Sequence, residues 1–170
     1  IVVGLERSDD GDSRDDGVVA AVVAGDASDR DAHRRAADAA TALAPLAGWV
    51  NNAGITKTTP LHQLDEATVR DIVEINGLGY LWGCSVAVET FLAQGGGGAI
   101  VNIGSIHGRR SHPEYAAYEF TKGGIDALSR SVAVTYGGAN IRCNTLAPGG
   151  VMTPHLAAQL AAAADPVAEE

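Results

Sequence analysis

The stretch Ala99–Gly150, AIVNIGSIHGRRSHPEYAAYEFTKGGIDALSRSVAVTYGGANIRCNTLAPGG, reads as a strand, a helix and a second strand. Ala99 to Ile103 is a short, nearly unbroken apolar run, as a strand buried on both faces of a sheet requires. After a loop, Tyr115 to Tyr136 carries a helix that Gly137-Gly138 stops. Ile141 to Leu146 is the next strand, closed by Ala147-Pro148-Gly149.

Working outward, the same alternation continues upstream. Ile1 to Leu5 is a β-rich run closed by Glu6, and Val18 to Ala24 is a second apolar run ended by Gly25-Asp26. Between them lies an acidic loop, Ser8 to Gly17. Asp29 to Leu46 is Ala-rich and helical, with Pro45 and Gly48 marking its end. Trp49-Val50 leads into the turn Asn51-Asn52-Ala53-Gly54. Asp65 is the N-cap of a long helix to about Gln94, with Val69, Ile72 and Val73 on its apolar face. A last Ala-rich helix starts near Thr153. Strands alternating with helices predict an α/β doubly wound, Rossmann-like parallel sheet. No repeat or linker divides the chain, so residues 1–170 are expected to form a single, partial domain.

Composition narrows the classes of function. The chain has 170 residues, 46% hydrophobic and 19% charged, as a globular domain does. Its formal charge is -9, and no basic run exceeds a pair such as Arg34-Arg35 or Arg109-Arg110. A nucleic-acid partner is therefore not expected. No apolar run approaches the roughly 20 residues of a membrane helix, so no membrane partner is expected either. Cys84 and Cys143 lack metal-ligand spacing and read as buried thiols in a reducing compartment, the cytoplasm. No metal site is expected.

The chemistry centres on Tyr118-Glu119-Phe120-Thr121-Lys122. Residues at i and i+4 stand on one face of a helix, so the Lys122 ammonium and the Tyr118 phenol are neighbours. A phenol of ordinary pKa, about 10, is a poor base at neutral pH, and an adjacent cation favours its charged form. Such a pair can take a proton from an alcohol or return one to a ketone. Ser105 sits where the AIVNIGS strand ends. A hydroxyl at the carboxyl end of a parallel strand lies where open α/β sheets bind ligands, and it can donate to a developing alkoxide.

Asn51-Asn52-Ala53-Gly54, Asn76 within Ile75-Asn76-Gly77, the Ser105 strand, YEFTK, and Pro148-Gly149 followed by Thr153 fall in one order and spacing. The set resembles the single-domain branch of the short-chain dehydrogenase/reductase family, over nearly the whole chain. The resemblance implies an NAD(P)-dependent oxidoreductase that moves a hydride between nicotinamide and a secondary alcohol or ketone. It implies Tyr118 as acid/base and Ser105 as the hydroxyl that polarises the substrate. Lys122 would hold the nicotinamide ribose and favour the phenolate, and Asn76 would anchor a water in a proton relay. Asn52, Ala53 and Gly54 would line the adenosine-ribose side. Pro148, Gly149, Val151 and Thr153 would clasp the carboxamide, Val151 through its backbone and Thr153 through its side chain. Asp26 would bond the adenine amino group and the Ala27 backbone would touch the ring. Glu6 would bond the ribose hydroxyls, which favours NAD over NADP, although Arg7 follows at once. A homodimer or homotetramer is implied, built on the helices that begin near Asp65 and Tyr115.

In the family a strand with a Gly-rich turn precedes the Ile1 strand, and a further strand follows the lid. Both are expected to be missing from these 170 residues, which would leave the sheet incomplete and the isolated piece inactive. Two other classes use part of the same set. An extended-branch sugar-nucleotide epimerase or dehydratase has the Tyr/Lys pair, but NNAG and the Pro148-Gly149 loop argue against it. A non-catalytic cofactor-binding scaffold has no need of Ser, Asn, Tyr and Lys together. Gly77-Leu78-Gly79 with Gly83 lies within a helix and fails as a dinucleotide fingerprint. His107 and His112 read as solvated loop residues, and the aspartates of residues 9–16 lack calcium-loop spacing.

Overall fold

The computed structural model describes residues 2–6 and 19–152. The acidic loop, Thr153 and the helix expected after it lie outside the described residues. The strands are β1 (Val2–Glu6), β2 (Val19–Ala24), β3 (Gly48–Asn51), β4 (Gly98–Ile103) and β5 (Ile141–Leu146). The helices are α1 (Arg30–Thr41), α2 (Glu66–Ile72), α3 (Gly79–Gln94) and α4 (Ala116–Tyr136). Every strand pairing is parallel, β1 with β2 and β3 with β4 with β5. The expected α/β architecture is the one observed. Its strands form a two-stranded and a three-stranded sheet, and no described strand joins β1 to β3. That division falls where the family resemblance places a further strand. Helix α1 ties the two sheets together, packing on β1, β2 and α3.

Two helices differ from expectation. Helix α1 starts on its cap, where the Asp29 carboxylate accepts the Asp31 N–H, but it ends at Thr41 rather than Leu46. Pro45 disfavours helical backbone in the residue before it, and the Thr41 hydroxyl turns back onto the Ala37 and Asp38 carbonyls. The Asp65 helix is capped as expected, with the carboxylate accepting the Thr68 N–H. It is interrupted by one turn of π-helix, Val73–Leu78, before continuing as α3 to Gly95. A π turn inside an α-helix inserts a residue and re-aims the side chains around it, often at functional sites. Here it carries Asn76.

The apolar core lies under α3 and α4: Cys84, Ala87, Val88 and Phe91 from α3, Ile100 from β4, Val132 from α4, and Ile141 and Cys143 from β5. Gly83 lets α3 approach the sheet, since a Cβ there would lie 2.0 Å from the Asn51 Oδ1.

The sheet register sets a row of polar groups into this core. Asn51 on β3 stands beside Asn102 on β4, which stands beside Thr145 on β5. Asn51 Nδ2 donates to Asn102 Oδ1 at 2.8 Å, and Asn102 Nδ2 donates to Ser129 Oγ at 2.9 Å. Thr145 Oγ1 donates to the same Ser129 hydroxyl, which donates onward to the Ile125 carbonyl. The indole of Trp49 donates to Asn51 Oδ1. Three strands and α4 are thus joined at the end of β3 and one residue before the ends of β4 and β5. Asn102 is fully buried. Asn102→Leu strands a donor on Asn51, while Ser129 keeps the hydrogen bond from Thr145, and should lower unfolding free energy by about 1–3 kcal/mol. Denaturant titration reads this as a fall in midpoint. An unchanged midpoint would mean the row contributes nothing.

Candidate active site

The site forms where β4 runs out. The carbonyl of Ile103, the last strand residue, accepts two hydrogen bonds: from the Tyr80 hydroxyl at 2.8 Å and from Lys122 Nζ at 2.9 Å. Tyr80 comes from α3 and Lys122 from α4, so one carbonyl fixes both helices at the strand's end. Lys122 is only 4% exposed. Burial lowers its pKa from 10.5 to about 8. Its ammonium stands 5.2 Å from the Tyr80 ring centre and 5.6 Å from that of Tyr118. Burial also pushes the Tyr80 phenol well above the ordinary range, so it stays a neutral donor.

The π turn aims Asn76 at the stretch that follows β3. Its Oδ1 accepts the Ile55 N–H and its Nδ2 donates to the Ile55 carbonyl, both at 2.8 Å. The amide therefore acts like a strand partner for a single residue and docks the segment after Asn52-Ala53-Gly54. Gly54 lies close to both side chains: a Cβ would be tight against Asn76 Oδ1 at 3.3 Å and in ordinary contact with Lys122 Nζ at 3.7 Å. Asn76, Gly54 and Lys122 thus meet at one point, as the sequence implies. Asn52, Ala53 and Gly54 are exposed there.

Ser105, 8% exposed, caps the short 3-10 turn Ile106–Gly108 by accepting the His107 N–H at 3.1 Å. Its own O–H has no acceptor among the described residues. The turn is held on three sides. Ile106 N–H donates to the Pro148 carbonyl, which brings the segment after β5 against the Ser105 turn. Gly108 packs on the Lys122 backbone. Arg109 Nε donates to the carboxylate of Asp126, one helical turn beyond Lys122. Asp126 is buried while Arg109 is mostly exposed, so this pair anchors the loop more than it stabilises the fold.

Tyr118 is half-buried at the start of α4 and belongs to a group of four rings. His107 stacks nearly parallel to Tyr115 and stands edge-on to His112 and Tyr118, with its centroid 6.4 Å from that of Tyr118. His107 is thus partly solvated, as expected of a loop residue, and also packed among the other three rings. Tyr115 is fixed from behind, where Thr59 pairs with it in an isolated bridge and accepts the Ala117 N–H. Glu114 before it takes a positive φ of 69°, a conformation that non-glycine residues seldom adopt and that clusters at functional sites.

The opposite end of the proposed cofactor track lies at the ends of β1 and β2. Glu6 closes β1 and is exposed. Asp26 shapes the turn after β2, accepting the Ser28 N–H and hydroxyl. The Ala27 carbonyl accepts His33 Nε2 at 2.7 Å and packs on Gly79, in the same helix that carries Asn76. Burial lowers the His33 pKa, so the ring is neutral at this contact. Gly149 and Val151 are exposed beyond β5, and Thr153 falls outside the described residues.

Sequence reasoning missed Tyr80, the Ile103 carbonyl and His107. Tyr80 had a signal, since it stands at i+4 from Asn76, but the π turn disguised which face it shares. A carbonyl has no signal in side-chain patterns at all.

Against known proteins, residues 11–164 match the family model described as short chain dehydrogenase. Galactitol 2-dehydrogenase (L-tagatose-forming) of Cereibacter sphaeroides is 37% identical over 137 residues, 79% of this chain and 54% of that protein. Cis-4-hydroxycyclohexanecarboxylate dehydrogenase of Sinomonas cyclohexanicum is 38% identical over 146 residues, 85% of this chain and 58% of that one. The crystal structure of a gluconate 5-dehydrogenase from Burkholderia cenocepacia J2315, in complex with NADP and tartrate, superposes with a TM-score of 0.84 at 27% identity. It covers 95% of this chain and 66% of that one. The chain spans about half the length of the curated relatives it matches.

Proposed function

Because this chain belongs to the short-chain dehydrogenase family, we propose that its protein moves a hydride between a nicotinamide cofactor and a secondary alcohol or the matching ketone. The observation that carries this reading is the Lys122 ammonium, buried at the end of β4 within 5.6 Å of the Tyr118 ring. A buried cation is costly, and perturbed ionisable groups of this kind collect at functional sites.

The residues present fit the nicotinamide end of such a cofactor. An ammonium has three donors, and one of them goes to Ile103. The other two are free to hold ribose hydroxyls beside Gly54, where the missing Cβ permits close approach. When bound, the cofactor supplies or accepts the hydride. Tyr118 takes the hydroxyl proton or returns it, Ser105 donates to the reacting oxygen, and Lys122 favours the phenolate. Asn76 holds the Ile55 segment in place and belongs to the relay that returns the proton to solvent. Pro148, Gly149, Val151 and Thr153 hold the carboxamide. Asn52, Ala53, Asp26 and Ala27 serve the adenosine side.

The cofactor is NAD rather than NADP in this reading, because the exposed carboxylate of Glu6 at the end of β1 opposes a ribose phosphate. Residues 1–170 act as one unit, and the buried free thiols of Cys84 and Cys143 suit a reducing compartment, the cytoplasm. Exposed Leu81 and Leu92 on α3, with Phe120 and Val134 on α4, support a homodimer or homotetramer through these helices.

Mixing the intact protein with NAD or NADP and a panel of secondary alcohols should generate the absorbance of reduced nicotinamide, faster with NAD. Absence of reduction across polyols, steroids, hydroxy acids and cyclic alcohols with both cofactors would reject the reading.

A further inference from the structure

His107 is built to offer one particular nitrogen. Its Nδ1 lies 3.2 Å from the Arg110 carbonyl and 4.0 Å from Glu119 Oε1. A carbonyl has no proton to give, so Nδ1 must carry one. In the neutral ring Nε2 is then a bare acceptor, turned away from Arg110 and Glu119. Among the described residues nothing donates to it. Tyr115 stacked on the ring and His112 at its edge fix its orientation. The His107 N–H meanwhile donates to Ser105 Oγ. The acceptor is therefore tied by its own backbone to the hydroxyl that steadies the reacting oxygen, and its ring neighbours that of Tyr118. The imidazole is 31% exposed, so a ligand can reach it.

We propose that His107 is a specificity-determining residue whose Nε2 accepts a hydrogen bond from a second hydroxyl of the substrate, on the carbon next to the one oxidised. The enzyme accordingly prefers vicinal diols and longer polyols to lone secondary alcohols. A substrate without that hydroxyl covers this partly exposed acceptor and leaves it unmatched, which is the usual source of discrimination against a missing polar group. The inference rests on the dehydrogenase reading above.

The test pairs butane-2,3-diol with butan-2-ol, which differ by the one hydroxyl. The wild type should show the higher kcat/KM for the diol. His107→Phe keeps a ring in the stack and removes the acceptor, and should shrink the diol preference about tenfold. His107→Gln, which retains an acceptor, should recover part of it. A second readout needs neither turnover nor a variant. Imidazole 15N spectra of the wild type should show the proton on Nδ1, and adding the diol should move the Nε2 resonance while butan-2-ol does not. A proton found on Nε2, or an unchanged preference in His107→Phe, overturns the inference and leaves the dehydrogenase reading standing. A wild type that oxidises neither alcohol, nor any other on the panel, defeats that reading and the inference with it.

Discussion

Tyr118→Phe should cut turnover by about a hundred- to ten-thousandfold and leave cofactor affinity nearly unchanged. The substitution removes one oxygen, the atom proposed to exchange a proton with the substrate, and positioned acid/base groups contribute about that much. The ring remains to face His107 and Tyr115 and to sit beside the Lys122 ammonium. Neither the α4 cap nor the core depends on the phenol, so stability should move little. Single-turnover kinetics with saturating cofactor, alongside a direct cofactor titration, separates the two effects. Turnover within threefold of wild type would remove Tyr118 from the chemistry. A parallel loss of cofactor binding would recast it as a binding residue.

The second large effect has opposite signs in two assays. Lys122→Met should abolish most turnover, by about a thousandfold, and yet stabilise the cofactor-free protein. The Lys122 ammonium is buried, and its pKa stands at about 8 rather than 10.5 because burial disfavours the charge. Removing it does not orphan its acceptor, since the Tyr80 hydroxyl still donates to the Ile103 carbonyl. What is lost is one hydrogen bond and the contacts with two ring faces, which offset part of the gain. A net gain of about 1–2 kcal/mol follows, or a few degrees in Tm.

The pH dependence has a definite direction. Between about pH 8 and 10.5 the unfolded chain holds a proton that the folded chain gives up, so wild-type stability rises with pH across that interval. The advantage of Lys122→Met is therefore largest below about pH 8 and fades as pH approaches 10.5. Denaturation of both proteins at several pH values checks this. A destabilised Lys122→Met at neutral pH would show that the ammonium's contacts outweigh its burial.

Much of this molecule is legible without coordinates because two kinds of rule are local. Ala99–Ile103 and Val18–Ala24 read as buried strands from their apolar runs, and both strands appear within one residue of expectation, although alternate residues of β2 are exposed. The i, i+4 geometry of a helix is fixed by backbone pitch, so Tyr118 and Lys122 had to share a face wherever α4 packed. Asp65 caps the helix it was expected to cap, since a cap needs only its own next three residues, and Asp29, read as the first residue of its helix, is that helix's cap. The end of α1 was misjudged because high helix propensity in Ala42-Leu43-Ala44 competes with Pro45, and pattern alone does not say which prevails.

What the sequence determined by itself is the set of reactive groups and their order along the chain, because strand periodicity, helix pitch and capping act over a few residues. Only the tertiary structure decided how those groups meet. Tyr80 and Lys122 share the Ile103 carbonyl, Asn76 grips Ile55, and Asn51, Asn102 and Thr145 line up across three strands. Each of these depends on sheet register or on the π turn that re-aims Asn76. Those are settled by packing between segments far apart in the chain, where no short-range pattern reaches.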